Sequence, residues 1–166
     1  MERDLSQFIQ VIRRIPLFEG LKPDQALTVL KACEQKSFEA RKMICKFGDA
    51  SNDMLILLSG ELSVRTEEGA QVAIIKPISP VGEMGMFTEE PRSATVLTRE
   101  ASAGLVLSKI RIQSLMRRNP ELEIAISRNL IQILSERIRT ANGELAYLNR
   151  VIADQGAEPE DLIDTP

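Results

Sequence analysis

The feature that most constrains the fold is a series of short strand patterns between Lys36 and Ser108, with no helical pattern between them. Met54–Leu58 is a continuous apolar run, which predicts a strand buried on both faces. Leu62 and Val64 alternate with polar residues, as expected for a half-buried strand. Turn signals recur at Gly48, Gly60, Gly69, Gly82 and Gly104. Because a parallel sheet needs helices between its strands, residues 36–109 predict an antiparallel sandwich or small barrel.

Helical patterns flank this region on its N-terminal side. Apolar residues at helical spacing predict a first helix that ends before Pro16, and their positions are Leu5, Phe8, Ile9, Ile12 and Ile15. Gly20 and Pro23 mark a turn into a second helix. Its expected buried stripe comprises Ala26, Leu27, Leu30 and Cys33. Residues 1–35 are therefore predicted to be helical.

Helix returns over residues 110–153, and Pro120 divides a short helix from a long one. Apolar residues in the long helix step by three and four in an unbroken heptad register, at Ile131, Leu134, Ile138, Ala141, Leu145, Leu148 and Ile152. This stripe predicts a parallel coiled coil between two copies of the chain, and packing on the chain's own barrel is the alternative. The register continues through Asn142-Gly143, which favours a continuous helix although this dipeptide often ends one. Residues 154–166 are acidic and polar, which predicts a disordered tail.

Composition narrows the function more than the fold. The chain has a net charge of -3 and no histidine, and its two cysteines are Cys33 and Cys45. The weak negative charge gives no electrostatic footprint for nucleic acid. Histidine-based catalysis and His-ligated metals are excluded, so we expect neither an enzyme nor a metal site or cofactor. No apolar run approaches the length of a membrane span, and the N-terminus has no signal-peptide pattern, which together predict a cytoplasmic protein that contacts no membrane.

The chemically informative stretch is Val81–Val96, here called the cassette. Gly82 permits a tight turn out of a strand, and the residues after it are enough for one helical turn, whose first N–H groups can bind an anion. Pro91 directs Arg92 toward the same place, where its guanidinium suits phosphate oxygens and Ser93 adds a hydroxyl. The carboxylate of Glu83 accepts hydrogen bonds and suits vicinal hydroxyls. The two halves together describe a cradle for a ribose phosphate.

The cassette also resembles the phosphate-binding segment of the cyclic nucleotide-binding domain family, which includes bacterial catabolite activator protein and the regulatory subunits of cAMP-dependent kinases. The matching residues are Gly82-Glu83 and Pro91-Arg92-Ser93-Ala94-Thr95-Val96. Further resemblances run from about Phe8 to Asn149, at Ile15–Leu21, Phe47-Gly48-Asp49, Leu57–Leu62 and Asn119-Pro120. The resemblance implies an α+β fold: an antiparallel β-barrel or jelly roll with N-terminal helices and a long C-terminal helix.

The resemblance also implies roles for individual residues. Glu83 would hold the ribose 2′-hydroxyl, and Arg92 and Ser93 the cyclic phosphate. Gly82 and Met84 would contribute backbone contacts, and Ala94 completes the expected ligand-binding set. The last long helix caps the base in this family, which here points to Arg137, Thr140 and Asn142.

Two departures from the family pattern stand out. The usual Pro-Gly-Asp before the cassette is replaced by Pro77-Ile78-Ser79-Pro80. Because Ile78 is β-branched, we expect the turn there to take a different shape. The DNA-binding members also carry a helix-turn-helix after the long helix, and the residues after Ile152 cannot form one, so we expect no DNA-binding domain.

The functional expectation is a non-enzymatic sensor of a cyclic nucleotide that signals through its C-terminal helix to an unknown protein partner, as a homodimer. We expect cAMP as the ligand. Ser93 could also hydrogen-bond the N2 edge of a guanine, so cGMP is an alternative. A cyclic dinucleotide is another, with Arg137 or Arg139 as the extra cation. The competing hypothesis is a degenerate domain that binds no nucleotide and serves as a dimerisation or interaction module.

Overall fold

The computed structural model describes residues 9–88 and 90–154. The chain divides into two compact units between Asn129 and Leu130. The first unit holds all the strands and most helices, and the second holds the greater part of the last helix. Of the predicted tail, Asp154 is the last residue of the final helix, and residues 155–166 lie outside the described residues, as do the first residues of the predicted N-terminal helix. Among the helices of the described part, none is long and apolar enough to span a membrane.

The first unit opens with helical elements. A helix, α1, covers residues 9–14, a 3-10 turn covers Pro16–Phe18, and α2 covers Pro23–Ala32. Pro23 occupies the first position of α2, where a missing N–H costs nothing. The apolar side chains of these elements are buried, and those with no exposed surface include Ile12, Ile15, Leu17, Phe18, Ala26 and Val29.

Two four-stranded antiparallel sheets follow. The strands are β1 (Cys33–Phe38), β2 (Met43–Cys45), β3 (Asp53–Ser59), β4 (Leu62–Arg65), β5 (Gln71–Ile75), β6 (Ser79–Val81), β7 (Thr95–Thr98) and β8 (Ser102–Ser108). One sheet has the order β1-β8-β3-β6 and the other β2-β7-β4-β5. Together with the flanking helices they confirm the predicted α+β class and the jelly-roll architecture.

The core between the sheets explains the sequence pattern of the strands. Its fully enclosed members are Leu55, Leu57, Leu62, Val81 and Val96. Met54–Leu57 is buried throughout, so the apolar run in β3 is confirmed as a strand covered on both faces. The loop predicted around Gly69 joins β4 to β5 as a hairpin.

The structure corrects the boundary of the N-terminal helices. Cys33 was expected on the buried stripe of α2, but it is the first residue of β1, and the barrel therefore begins before Lys36. β1 is an edge strand whose central residues are all exposed. It pairs with β8 along its whole length, from Cys33 with Leu107 to Phe38 with Ser102. Backbone pairing with β8 thus specifies this strand. Its sequence does not alternate between apolar and polar residues, so it gives no strand pattern.

The turn before the cassette contains a residue with a left-handed backbone. Ile78 has a φ of 66°, in the left-handed region that glycine favours. Its N–H donates to the Leu57 carbonyl at 2.8 Å, which fixes the turn next to β3. Ile78 therefore has a backbone conformation that strains a β-branched residue, and whether the turn differs in shape from the family's Pro-Gly-Asp turn stays a prediction.

The remaining helices are α3 (Met84–Phe87), α4 (Lys109–Arg118) and α5 (Pro120–Asp154). Ser108 caps α4, since its hydroxyl accepts the N–H of Arg111 at 3.3 Å. The predicted break at Pro120 is confirmed, and α5 is a single helix that continues through Asn142-Gly143.

Candidate functional site

The cassette begins with a tight turn and one turn of helix. β6 ends at Val81, and Gly82 follows with a φ of 82°. Glu83 then starts the predicted helical turn, and its carbonyl accepts the N–H of Met86 at 3.1 Å. Glu83 is 1% exposed, which is rare for a carboxylate. The structure thus places Glu83 as a buried acid at the start of α3, and its role as the acceptor for ribose hydroxyls stays a prediction.

Arg92 is fixed by its backbone to the turn that follows β2. The N–H of Arg92 donates to the Asp49 carbonyl at 2.8 Å, and the N–H of Gly48 donates to the Arg92 carbonyl at 2.9 Å. The sequence indicated only a turn at Phe47-Gly48-Asp49. In the structure this segment holds the backbone of Arg92 in place through these two hydrogen bonds.

The guanidinium of Arg92 is held by Asp53, the first residue of β3. Arg92 Nη2 lies 2.6 Å from Asp53 Oδ1, and the two side chains are 9% and 49% exposed respectively. Solvent partly screens an ion pair that has one half-exposed partner. We therefore infer that Asp53 mainly holds the Arg92 guanidinium in position and contributes little to the stability of the fold. Asp53 was missed in the sequence analysis.

Gly82 lies directly against this arginine. A Cβ atom on Gly82 would overlap Arg92 Nη1, so only glycine leaves room for the guanidinium here. The two ends of the cassette, which are ten positions apart in sequence, are thus brought together as predicted.

One donor of Arg92 is buried and unsatisfied. Arg92 Nε has no hydrogen-bond partner among the described residues. A buried N–H without an acceptor is costly, and a charged group more so. A ligand oxygen at this point would satisfy it, and a phosphate matches the fork geometry of the guanidinium. The residues present therefore fit an anionic ligand.

The other predicted contacts lie on the rim. Met84 and Ser93 are exposed and Ala94 is half-buried, so each can approach a ligand from the solvent side. The base-capping candidates Arg137, Thr140 and Asn142 are exposed residues of α5 in the second unit. Their role stays a prediction.

A small cavity of about 130 Å³ adjoins Arg92 inside the barrel. It is smaller than the roughly 300–1,000 Å³ of typical ligand pockets. Cys45 contributes to its wall, and burial raises the pKa of this thiol although the nearby Arg92 cation acts in the opposite direction. Burial also raises the pKa of Cys33, to about 12, which makes that thiol unreactive.

Lys109 is a second residue that the sequence analysis missed. Its Nζ donates to the carbonyls of Gly85 at 3.1 Å and Thr88 at 2.8 Å, at the end of α3. Neither Asp53 nor Lys109 lies within the cassette, and each acts through a contact between segments distant in sequence. No local pattern could have revealed them.

The comparisons with known proteins agree with this geometry. The family model described as "Cyclic nucleotide-binding domain" matches residues 35–119, just over half of the chain. The chain belongs to the cyclic nucleotide-binding domain family.

Individual relatives show the same relationship. The "Cyclic AMP receptor protein" of Thermus thermophilus is 30% identical over 138 residues, which cover 81% of this chain and 62% of that protein. The regulatory domain of Toxoplasma gondii PKA, solved with cAMP, matches with 26% identity and a TM-score of 0.65 over 69% of this chain and 45% of that one. A cyclic nucleotide-binding domain from Methylobacillus flagellatus gives a TM-score of 0.76 at 21% identity, over 87% and 84%, which shows the shared fold. The chain spans 21% to 62% of the length of the first five curated relatives that it matches.

Proposed function

We propose that this chain is a non-enzymatic cyclic nucleotide sensor whose ligand is cAMP. The observation that carries the proposal is the buried Arg92. Its backbone is hydrogen-bonded to the Gly48-Asp49 turn, and its Nε–H group has no hydrogen-bond acceptor among the described residues. Gly82 lies against it from the start of the cassette, and the buried Glu83 is the next residue. An anion-binding group beside a hydroxyl-binding group is the chemistry that a ribose cyclic phosphate requires.

Titration calorimetry with cAMP on three proteins tests the proposal. We expect the wild type to bind, and Arg92→Ala to lose roughly 2–5 kcal/mol of binding free energy because a buried charged partner is removed. The matched control is Arg99→Ala. Arg99 also pairs with a carboxylate, at 2.8 Å from Glu61, but it lies outside the cassette. Absence of binding by the wild type, or equal affinity of wild type and Arg92→Ala, would contradict the proposal.

The identity of the base is also part of the proposal. The cassette contacts described above concern the ribose phosphate, so they favour no base. A thermal-shift comparison of cAMP, cGMP and cyclic dinucleotides at equal concentrations ranks the candidates, because stabilisation grows with ligand concentration over Kd. If no nucleotide stabilises the protein, the alternative of a ligand-free interaction module replaces the sensor.

We further propose that α5 dimerises and passes the signal to a protein partner. Within the second unit, four heptad-stripe residues are 52% to 66% exposed, namely Ile131, Ile138, Leu145 and Leu148. Such a row of exposed apolar side chains is unfavourable in water and is typical of a coiled-coil seam. Arg137 and Glu144 occupy positions beside this stripe. In a parallel dimer each of them faces an asparagine of the second helix, so these positions bring no like charges together.

Sedimentation velocity of two neighbouring variants tests the dimer. Leu145→Glu places a charge on the stripe and should shift the protein to monomer. Ala146→Glu adds the same charge one residue away, off the stripe, and should leave the dimer intact. A monomeric wild type at all concentrations, or an identical effect of both variants, would contradict dimerisation through this face.

A further inference from the structure

Lys109, the first residue of α4, joins this helix to the cassette. Its side-chain Nζ donates to the carbonyls of Gly85 and Thr88, at 3.1 and 2.8 Å. Its backbone N–H donates to the Asn52 carbonyl at 2.8 Å, which fixes the residue at the junction of β8 and α4. The lysine therefore reaches from the start of one helix to the end of another.

A cation at the C-terminal end of α3 stabilises this helix. α3 is a single turn, and such a short helix is not stable on its own in water. The last carbonyls of a helix have no partner within it, and a lysine can satisfy them and complement the helix dipole. Lys109 supplies this from outside the cassette, with one ammonium group for two carbonyls.

α3 is also packed against the loop before β3. Gly85 lies so close to Ser51 that a Cβ on it would overlap the Ser51 hydroxyl, and the Glu90 carbonyl would be 3.0 Å away. α3 is thus contacted both by Ser51 and by the ammonium of Lys109.

The same loop contacts the phosphate half of the cradle. Ser51, Asn52 and Asp53 are consecutive, and they contact Gly85, the Lys109 backbone and the Arg92 guanidinium respectively. A displacement of Lys109 would therefore affect both α3, which follows Glu83, and the strand start that holds Arg92.

We propose that Lys109 is a positioning residue that fixes the cassette helix to α4 and thereby sets nucleotide affinity. The part that concerns affinity rests on the proposed function. The part that concerns the position of α3 does not, because the contacts of Lys109 are made within the protein. The Nζ contacts described above are with main-chain carbonyls of residues 85 and 88, so Lys109 acts on the cassette through the backbone of α3.

The test compares Lys109→Met, Lys109→Arg and the control Lys31→Met in the full chain. Methionine keeps an unbranched side chain but loses the charge, arginine restores a cation, and Lys31 is an exposed lysine at the end of α2. The first measurement is hydrogen exchange of the Met86 and Thr88 amides without nucleotide, because these amides close the turn of α3. The second is the Kd for cAMP.

For Lys109→Met we expect about tenfold faster exchange at Met86 and Thr88 and about tenfold weaker cAMP binding, as for the loss of a charge-assisted hydrogen bond. The amides of β3 should be unchanged, Lys109→Arg should restore most of both values, and Lys31→Met should match the wild type. Unchanged exchange at Met86 and Thr88 would overturn the proposal, as would faster exchange throughout the barrel. Faster exchange with unchanged affinity would overturn the link to binding. If the wild type binds no cAMP, the proposed function fails, while the exchange rates still decide whether Lys109 positions α3.

Discussion

Replacing Gly82 with alanine tests the central feature of the cradle, the close approach of the cassette backbone to Arg92. The substitution has two separable effects. The residue has a φ of 82°, where a side chain costs about 1–2 kcal/mol. The new Cβ would also overlap Arg92 Nη1, so the guanidinium must move away from its present place beside Asp53.

Gly69→Ala provides the matched control. Gly69 has a φ of 88°, but no atom lies within 4 Å of the position that its Cβ would take. Both substitutions carry the same backbone strain and the same loss of chain entropy in the unfolded state. The difference between them therefore isolates the steric effect on Arg92. We expect this difference to be about 1–3 kcal/mol of unfolding free energy, since Arg92 loses a charge-assisted bond while it stays buried.

Urea unfolding and cAMP titration of the two variants give the required numbers. Gly69→Ala should lower the unfolding free energy by at most about 1.5 kcal/mol, because about 0.5–1 kcal/mol of unfolded-state entropy offsets about 1–2 kcal/mol of strain, and it should leave Kd unchanged. Gly82→Ala should lower it further and weaken binding by roughly 30-fold or more, because an arginine displaced from the phosphate acts as a removed partner. If Gly82→Ala and Gly69→Ala have the same stability and the same affinity, the geometric reasoning about Arg92 is refuted.

Three further predictions follow from single residues. Asp53→Asn keeps an oxygen for Arg92 and should stay within about threefold of wild-type affinity, whereas Asp53→Ala should lose about tenfold; equal affinities by calorimetry would show that Asp53 does not position Arg92. Ile78→Gly removes about 1–2 kcal/mol of left-handed strain, but it adds about 0.5–1 kcal/mol of chain entropy and removes a half-buried side chain worth about 1 kcal/mol, so the unfolding free energy measured in urea should change by less than about 1 kcal/mol; a loss of about 3 kcal/mol would contradict the strain. Because burial raises the pKa of Cys33 to about 12, iodoacetamide at pH 8 should alkylate it about a thousandfold more slowly than in the unfolded chain, and the rate should still rise above pH 9; a rate near that of the unfolded chain would show that the thiol is accessible.

The cassette was predictable because its chemistry is local. Gly82, Glu83 and Arg92 lie within eleven positions, and the turn, acid and arginine each have a backbone or charge requirement that can be read in order along the chain. β3 was predictable for a similar reason, since a strand covered on both faces must be apolar throughout. The heptad of α5 likewise predicted a long helix and its continuity through Asn142-Gly143.

The parts that sequence reasoning missed depend on pairing between distant segments. β1 has an almost wholly exposed, polar sequence, and it is a strand because β8 offers it a complete ladder. Asp53 looks like an ordinary polar residue before an apolar strand until Arg92 is placed beside it. At Ile78 the sequence gives no sign of the left-handed backbone, which goes with a hydrogen bond to the distant Leu57 carbonyl.

The two halves of the cradle are held in different ways, which has consequences for how ligand binding could be transmitted. Arg92 is fixed by two backbone hydrogen bonds and by Asp53, so the phosphate half is preorganised and costs little to order on binding. The half that carries Glu83 depends on α3, a single turn whose end is held by the side chain of Lys109. When a ligand contacts both halves, Arg92 is held firmly in place, whereas α3 is held by fewer contacts and can move more easily. Any displacement that binding causes should therefore fall on α3, and Lys109 would pass it to α4, because the same residue begins that helix.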